Sequence, residues 1–534
     1  MAARGSPDED DTLVDARLGA LEWGVACSAF QTEGGLNGPT GPQHHWRDWE
    51  ASGRVEPSHP GVGLWRGFSE AVSRARTLGL RVFRLSLEWA RLCPVSERLD
   101  PAAVRGYAAR LGALRGAGIE PLVTLCHFTH PAWLGADFWL SGDAPEVFAG
   151  YAESAVAALN AALTRRGAAP LRRMVTLNEP NMLALASYVA GVFPHGAGAL
   201  AEGAPMGLLR AWLALDHMLA AHVLTVRRLR ARYLREGWGA PDCSTNLNVV
   251  DLYPLAKMPF DLLRAPSLGV TPRGLDAHIA ACRGRFHDDL FDHGRPSVEA
   301  RVARHLEAAL VRFFTPQCLP RTLGLVFERN APSTLDHLAI DVYDPFTANQ
   351  LQAMPAVVEA LSEGAWGRLA EASAASGAFR LAPPWAWRHS AKTLVAAVRA
   401  MHGGAPSLPI DIDECGMAFE RPEGAQCRPR ADGLTRPRFL LEMARGVFDA
   451  ITQEALPLRT FCLWTLVDNY ELGHWSPRFG LYGLASRETP RARWSYGDAR
   501  GDDAAAVYQA IIAAFATPRA ALEGWLTRGG EVKQ

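Results

Sequence analysis

Lysine is almost missing from this chain: only Lys257, Lys392 and Lys533 occur, so the other 52 of its 55 basic residues are arginine. The arginines are scattered and form no stripe, which reads as a coding bias rather than a binding surface. Against 56 acidic residues they leave a formal net charge of -1. A balance so close to zero excludes strong electrostatic attraction to nucleic acid or to an anionic membrane surface. Long apolar runs are missing too. The stretch 208–226 is interrupted by Arg210, Asp216, His217 and His222, as in a buried helix of a large globular protein. The opening residues, MAARGSPDEDD, are acidic and lack the apolar core of a secretory signal. The nine cysteines contain no CxxC and no metal-finger spacing. Cys27, Cys126 and Cys462 sit inside apolar runs, where a thiol behaves as a small hydrophobe, so a reducing, cytoplasmic location is expected.

Of the 534 residues, 48% are hydrophobic and 21% charged, enough for a large packed core and too apolar for disorder. Short apolar runs alternate with helical patterns. Strands are expected at 21–28, 81–87, 120–126, 172–177, 243–250, 335–340, 408–413 and 460–466. Helices are expected at 69–78, 101–117, 145–165, 207–234, 297–314, 390–401, 438–455 and 503–515. Eight strands, each followed by a helix, predict the α/β class: a single (β/α)8 TIM barrel over residues 13–520. The stretches 35–63, 254–332 and 361–382 are read as long βα-loop insertions, and residues 1–12 and 525–534 as frayed tails.

Carboxylates that end apolar strands are informative, because a charge there is costly unless it is paired or used. Thr176-Leu177-Asn178-Glu179-Pro180 puts Glu179 at the end of the fourth strand, and Ile410-Asp411-Ile412-Asp413-Glu414 puts Glu414 at the end of the seventh. In a closed barrel all strand ends meet at one mouth, so the two acids can face each other. Singly, each reads more simply as the partner of an arginine. Together on a barrel, one ionised and one protonated, they are the pair that a retaining glycosidase needs.

The chain also resembles the β-glycosidases of glycoside hydrolase family 1. The similarity runs through Trp23-Gly24-Val25-Ala26, Phe83-Arg84-Leu85-Ser86-Leu87-Glu88-Trp89 and Thr124-Leu125-Cys126-His127-Phe128. It continues through Asn178-Glu179-Pro180, Asp413-Glu414-Cys415-Gly416 and Leu463-Trp464-Thr465-Leu466-Val467-Asp468-Asn469-Tyr470-Glu471, while 243–332 shows little that matches. The resemblance implies Glu414 as nucleophile and Glu179 as acid and base, the charge on Glu414 raising the pKa of Glu179. It implies that Arg84 and Tyr343 hold Glu414 ionised and that Asn178 binds the sugar 2-hydroxyl. Gln31, His127 and Glu471 would read the other hydroxyls, Trp464 would floor the pocket, and Trp385 would stack near the leaving group. No metal or organic cofactor is implied, and the partner is a small-molecule glycoside.

Departures from that pattern bear on specificity. Leu472 stands in place of a common tryptophan, Asp341 and Cys415 in place of asparagines, and Phe128 in place of a tryptophan. Altered pocket residues leave two other readings open: transglycosylation at the same site, and a non-catalytic sugar-binding barrel. His287-Asp288-Asp289 with Asp292 and His293 could pass for metal ligands, but matches no known spacing. His44, His45 and His130 are read as flanking the mouth, and His217 and His222 as core histidines.

Overall fold

The computed structural model describes residues 7–196, 204–291, 300, 304, 307, 315–329, 331–350, 382–403, 408–486 and 493–530. Its main sheet is built from β1 (Glu22–Cys27), β2 (Val82–Ser86), β3 (Glu120–Cys126), β4 (Arg173–Leu177), β5 (Asp242–Ser244), β6 (Asn246–Asn248), β7 (Leu338–Val342) and β8 (Ile410–Cys415). A two-residue strand, β9 (Phe419–Glu420), lies outside it, and β10 (Leu458–Trp464) completes it. Neighbours run in the order β5-β4-β3-β2-β1-β10-β8-β7-β6, and every pairing is parallel. Only Thr245 separates β5 from β6. The two ends of the sheet are therefore halves of one interrupted strand, and the sheet closes on itself as an eight-staved barrel. The expected eighth-strand count holds, with the fifth strand split.

The covering helices follow local chemistry. Asp100 caps Pro101–Gly116 by accepting from the Ala102 amide, with proline at the first helical position. Thr435 caps Arg436–Thr452 in the same way through the Arg438 amide. Ala144–Thr164 and Ala204–Glu236 pack on each other and turn their buried faces to the strands. The helix expected at 69–78 starts earlier, at Leu64. The expected helix at 297–314 lies outside the described residues except for 300, 304 and 307, as does the insertion 361–382 except for Ala382. A helix over Pro7–Ala20 begins inside the stretch expected to be frayed. Leu18 of this helix is buried in the core. At the other end Arg519–Thr527 is helical and buries Leu522, so order extends past 520. No helix among the described residues is long and apolar enough to cross a membrane.

Inside the barrel, Ala26, Val82, Leu122, Val175 and Cys462 form a small apolar cluster apart from the main core. A Cβ on Gly24 would lie 2.7 Å from the Val82 carbonyl and 2.8 Å from Cys462 Sγ, so glycine is required there. Below this cluster sits an ionic layer. Arg173 donates to Glu22 at 2.6 Å, Asp411 at 2.7 Å and Thr460 at 2.7 Å. Arg459 bridges Asp411 and Asp242, and His337 also meets Asp242, at 2.7 Å. Burial alone would raise Asp411, but Arg173, His337 and Arg459 hold it well below the usual carboxylate range. Removing one partner of a buried ion pair costs more than removing both, because a lone charge stays behind. Arg173→Met should lower stability by about 3 kcal/mol, read from the urea midpoint. The double variant Arg173→Met/Asp411→Asn should recover part of that loss.

Candidate active site at the barrel mouth

Glu179 leaves β4 in the left-handed region, at φ 38° and ψ 59°, and Pro180 then starts the helix Pro180–Tyr188. Such a backbone is unfavourable for a residue with a Cβ and persists only where neighbours enforce it. The Glu179 amide donates to Asn246 Oδ1 at 3.0 Å, and Asn248 Nδ2 donates to Glu179 Oε1 at 2.8 Å. Both asparagines lie on β6, where they alternate with Leu247.

Glu414 arrives by another irregularity. Ile340 pairs with Ile412, yet Asp341 pairs with Glu414, so Asp413 is an extra residue in β8. The bulge lets both Asp413 and Glu414 reach Arg84 of β2. Arg84 is 1% exposed and reaches residues of β3 and β8 and the end of β4. It donates to Glu414 Oε1, to Asn178 Oδ1 at 2.6 Å and to Thr124 Oγ1 at 3.1 Å, with Asp413 3.5 Å away. Tyr343, just after β7, donates its hydroxyl to Glu414 Oε2 at 2.9 Å.

One oxygen each from Glu179, Asp341 and Glu414 lies within 4.8 Å of the others. Burial pushes Glu414 up to about 7; Arg84 opposes the rise, Glu179 adds to it, and Tyr343 opposes it. Glu179 is also raised, by burial first of all, against hydrogen bonds from Asn248 and Asp341 and the charge of Arg84. Burial is the first cause of the Glu179 rise, and the repulsion between the two acids shows in the raised Glu414. Arg84 touches Glu414 and not Glu179, so Glu414 is the better place for negative charge and Glu179 for a proton. Asn178 Nδ2 is buried with no hydrogen-bond partner.

The remaining expected residues gather on one side of this pair. Gln31 Nε2 donates to Glu471 Oε2 at 3.0 Å, and the Trp464 indole donates to Glu471 Oε1 at 2.8 Å. Burial pushes the Glu471 carboxyl up to about 8. His127 stacks on Trp464 with ring centroids 5.8 Å apart and 10° between planes. Burial, with Arg84 nearby, holds His127 well below its usual pKa, so it is neutral. Trp385 packs on the mouth cluster that includes Trp464, Phe479 and Tyr343.

Leu472 and Phe128 both have positive φ, at 42° and 66°. Phe128 lies against Phe193, at 5.4 Å between centroids, and Leu472 packs half-buried on the core. His287 is no free ligand: its Nε2 meets Glu307 at 2.9 Å, while Asp292 and His293 lie outside the described residues. His45 and His130 stack on each other at 3.7 Å, beside His44. Asn246, Asn248 and Trp387, which lies 5.3 Å from Tyr343, were not singled out from the sequence. Two asparagines alternating inside a strand are the signal that could have marked the first two.

Comparison with known proteins agrees with this geometry. Residues 19–496 match the model of the family described as Glycosyl hydrolase family 1. Over 500 residues the chain is 25% identical to Beta-glucosidase 42 of Arabidopsis thaliana, covering 90% of this chain and 93% of that one. It is 22% identical over 475 residues to the 6-phospho-beta-galactosidase of Lacticaseibacillus casei (strain BL23), covering 86% and 92%. The beta-glucosidase from Thermotoga maritima, solved in complex with castanospermine, shares the fold with a TM-score of 0.60 at 16% identity, over 96% of this chain and 99% of that one. The family match spans most of the chain and includes the whole barrel mouth, so this protein is an O-glycosyl hydrolase and belongs to glycosyl hydrolase family 1.

Proposed function

We propose that the protein is a retaining β-glycosidase, β-glucosidase-like and acting on unphosphorylated sugars, that works by double displacement. The observation that carries this is a Glu414 carboxylate clamped by Arg84 and Tyr343 within 4.8 Å of the buried carboxyl of Glu179. Retaining enzymes keep their two carboxyls about 5–5.5 Å apart, close enough for one to attack the sugar directly. Glu414 attacks the anomeric carbon while Glu179 protonates the departing oxygen. Glu179, now ionised, takes a proton from water as that water displaces Glu414. Asn178 Nδ2 donates to the sugar 2-hydroxyl, and Gln31, His127 and Glu471 hold the others over Trp464. Trp385 contributes an apolar face toward the leaving group. A non-catalytic barrel has no need to keep both carboxylates and their clamp. None of the nine cysteines forms a disulfide, in keeping with a reducing cytoplasm.

Glu414→Ala should lower turnover of β-glycosides by at least about 10⁴-fold. Glu179→Ala should cost about 10²–10⁴-fold with alkyl leaving groups and far less with nitrophenyl ones, which need little protonation. NMR of the first product should show the anomeric configuration of the substrate; inversion would sink the mechanism.

Glu414 must be ionised to attack, so kcat/KM should fall as pH drops below about 7. Tyr343 stabilises the ionised form, and its loss raises the pKa. Tyr343→Phe should therefore move the acid limb of the pH profile upward by about one unit. An unmoved limb would show that the hydroxyl does not act on Glu414.

The charged groups acting most on Glu471 are Glu414 and Asp468, both carboxylates. Arg478, the nearest arginine along the chain, lies beside Asp468 at 3.9 Å. A sugar phosphate placed there keeps Glu471 protonated or, once Glu471 ionises above about pH 8, meets a like charge, which repels by about 4 kcal/mol at 4 Å and an effective dielectric of 20. A 6-phosphoglycoside should be cleaved more slowly than its parent glycoside. The reverse ranking in paired kcat/KM measurements would overturn the sugar assignment.

A further inference from the structure

Asp341 is a third carboxyl at the catalytic pair, and the two displacement steps do not use it. It is fully buried on β7, and its Oδ2 accepts from Asn246 Nδ2. Oδ1 is buried too and has no N–H or O–H donor. One of its oxygens lies within 4.8 Å of an oxygen of Glu179. Two carboxylates cannot hydrogen-bond to each other unless one carries a proton.

The charges around them leave little choice. Among the described residues Arg84, from β2, is the one cation in contact, and it serves Glu414 and Asp413, from β8. Tyr343 and Cys415 beside it are both held neutral by burial, and His127 at the end of β3 is neutral. From β6, Asn246 and Asn248 bring dipoles and no charge. Glu471 adds a further carboxyl from the loop after β10. One guanidinium cannot balance every carboxyl present, so protons must remain on some of them.

We propose that Asp341 and Glu179 share a proton, and that Asp341 is a positioning residue that keeps the acid loaded toward higher pH. The proposal rests on Glu179 being the acid and base. When the shared proton goes to the departing oxygen, Glu179 and Asp341 are both left ionised, while Glu414 loses its charge in the bond to the sugar. When water attacks, its proton returns to the pair and Glu414 leaves as a carboxylate, so each cycle ends with the one proton it began with. Losing the last proton would leave two adjacent anions beside Glu414, which delays that loss to higher pH.

The test has two arms. In the first, pH profiles of kcat/KM on a nitrophenyl β-glycoside and an alkyl β-glycoside compare the wild type with Asp341→Asn. Asparagine keeps an N–H donor to Glu179 but removes the second ionisable group. The basic limb on the alkyl substrate should move to lower pH by about one unit or more, while the acid limb set by Glu414 moves less. The second arm needs no turnover. Aspartate labelled with ¹³C at Cγ, with the Asp341 signal assigned by its loss in Asp341→Asn, is titrated by NMR. Asp341 should stay protonated to well above the ordinary aspartate range, and Glu179→Gln should lower its midpoint by a similar amount, since the coupling is reciprocal. An unmoved basic limb in an active Asp341→Asn variant, or an Asp341 signal already ionised at pH 5, overturns the proposal. A wild type that cleaves no β-glycoside counts against the glycosidase reading instead, and the NMR arm still decides whether the proton is shared.

Discussion

The guanidinium of Arg84 is the interaction on which the barrel mouth depends. A buried cation is tolerable only if anions and hydrogen-bond acceptors surround it, and here they reach Arg84 of β2 from three other strands: Thr124 from β3, Asn178 after β4, and Asp413 and Glu414 from β8. The same contacts work in the other direction. Without Arg84, Glu414 would be a carboxyl in a dry pocket beside two others, and burial would keep it protonated. The rigid fork of arginine also aims what it charges, since one N–H group faces Glu414 while another holds Asn178.

Two backbone irregularities bring the acids to this cation, and each is held from elsewhere. The extra residue in β8 turns consecutive side chains, Asp413 and Glu414, toward one guanidinium, which a regular strand with its alternating faces cannot do. The left-handed turn at Glu179 is held by Asn246, on the short strand that follows the break at Thr245. The interruption of the fifth stave thus has a purpose at the mouth: β6 pairs with β7, while its asparagines reach across to Glu179 and Asp341. At the opposite end, the layer of Arg173, Arg459, Asp411 and Asp242 ties β1, β4, β5, β8 and β10 together below the apolar plug.

The Glu471 side of the mouth is held by contacts of its own. Gln31, Trp464 and Glu471 form one hydrogen-bonded group whose carboxyl is oriented from two directions before any ligand arrives. Such preorganisation lowers the cost of binding a polar ligand, because the protein dipoles need not turn. Leu472 follows directly, without a polar head, and Phe128 and Phe193 make an aromatic pair near the mouth.

The sequence by itself determined the barrel and the two end-of-strand acids, because both are written in one dimension. Eight short apolar runs separated by helical periods specify a parallel closed sheet, and a charge at the end of such a run stands out against it. Arg84, Asn178, Tyr343, Gln31, His127, Trp464 and Glu471 were legible through resemblance, each in a motif beside a strand end. The tertiary structure alone decided the rest. Asn246 and Asn248 look like ordinary strand residues until the split stave brings them to Glu179. Asp341 looks like a conservative change for asparagine until its unpartnered oxygen is found buried beside a second carboxyl. Which carboxyl holds a proton depends on desolvation and on distances across the barrel, and strands far apart in the chain set both.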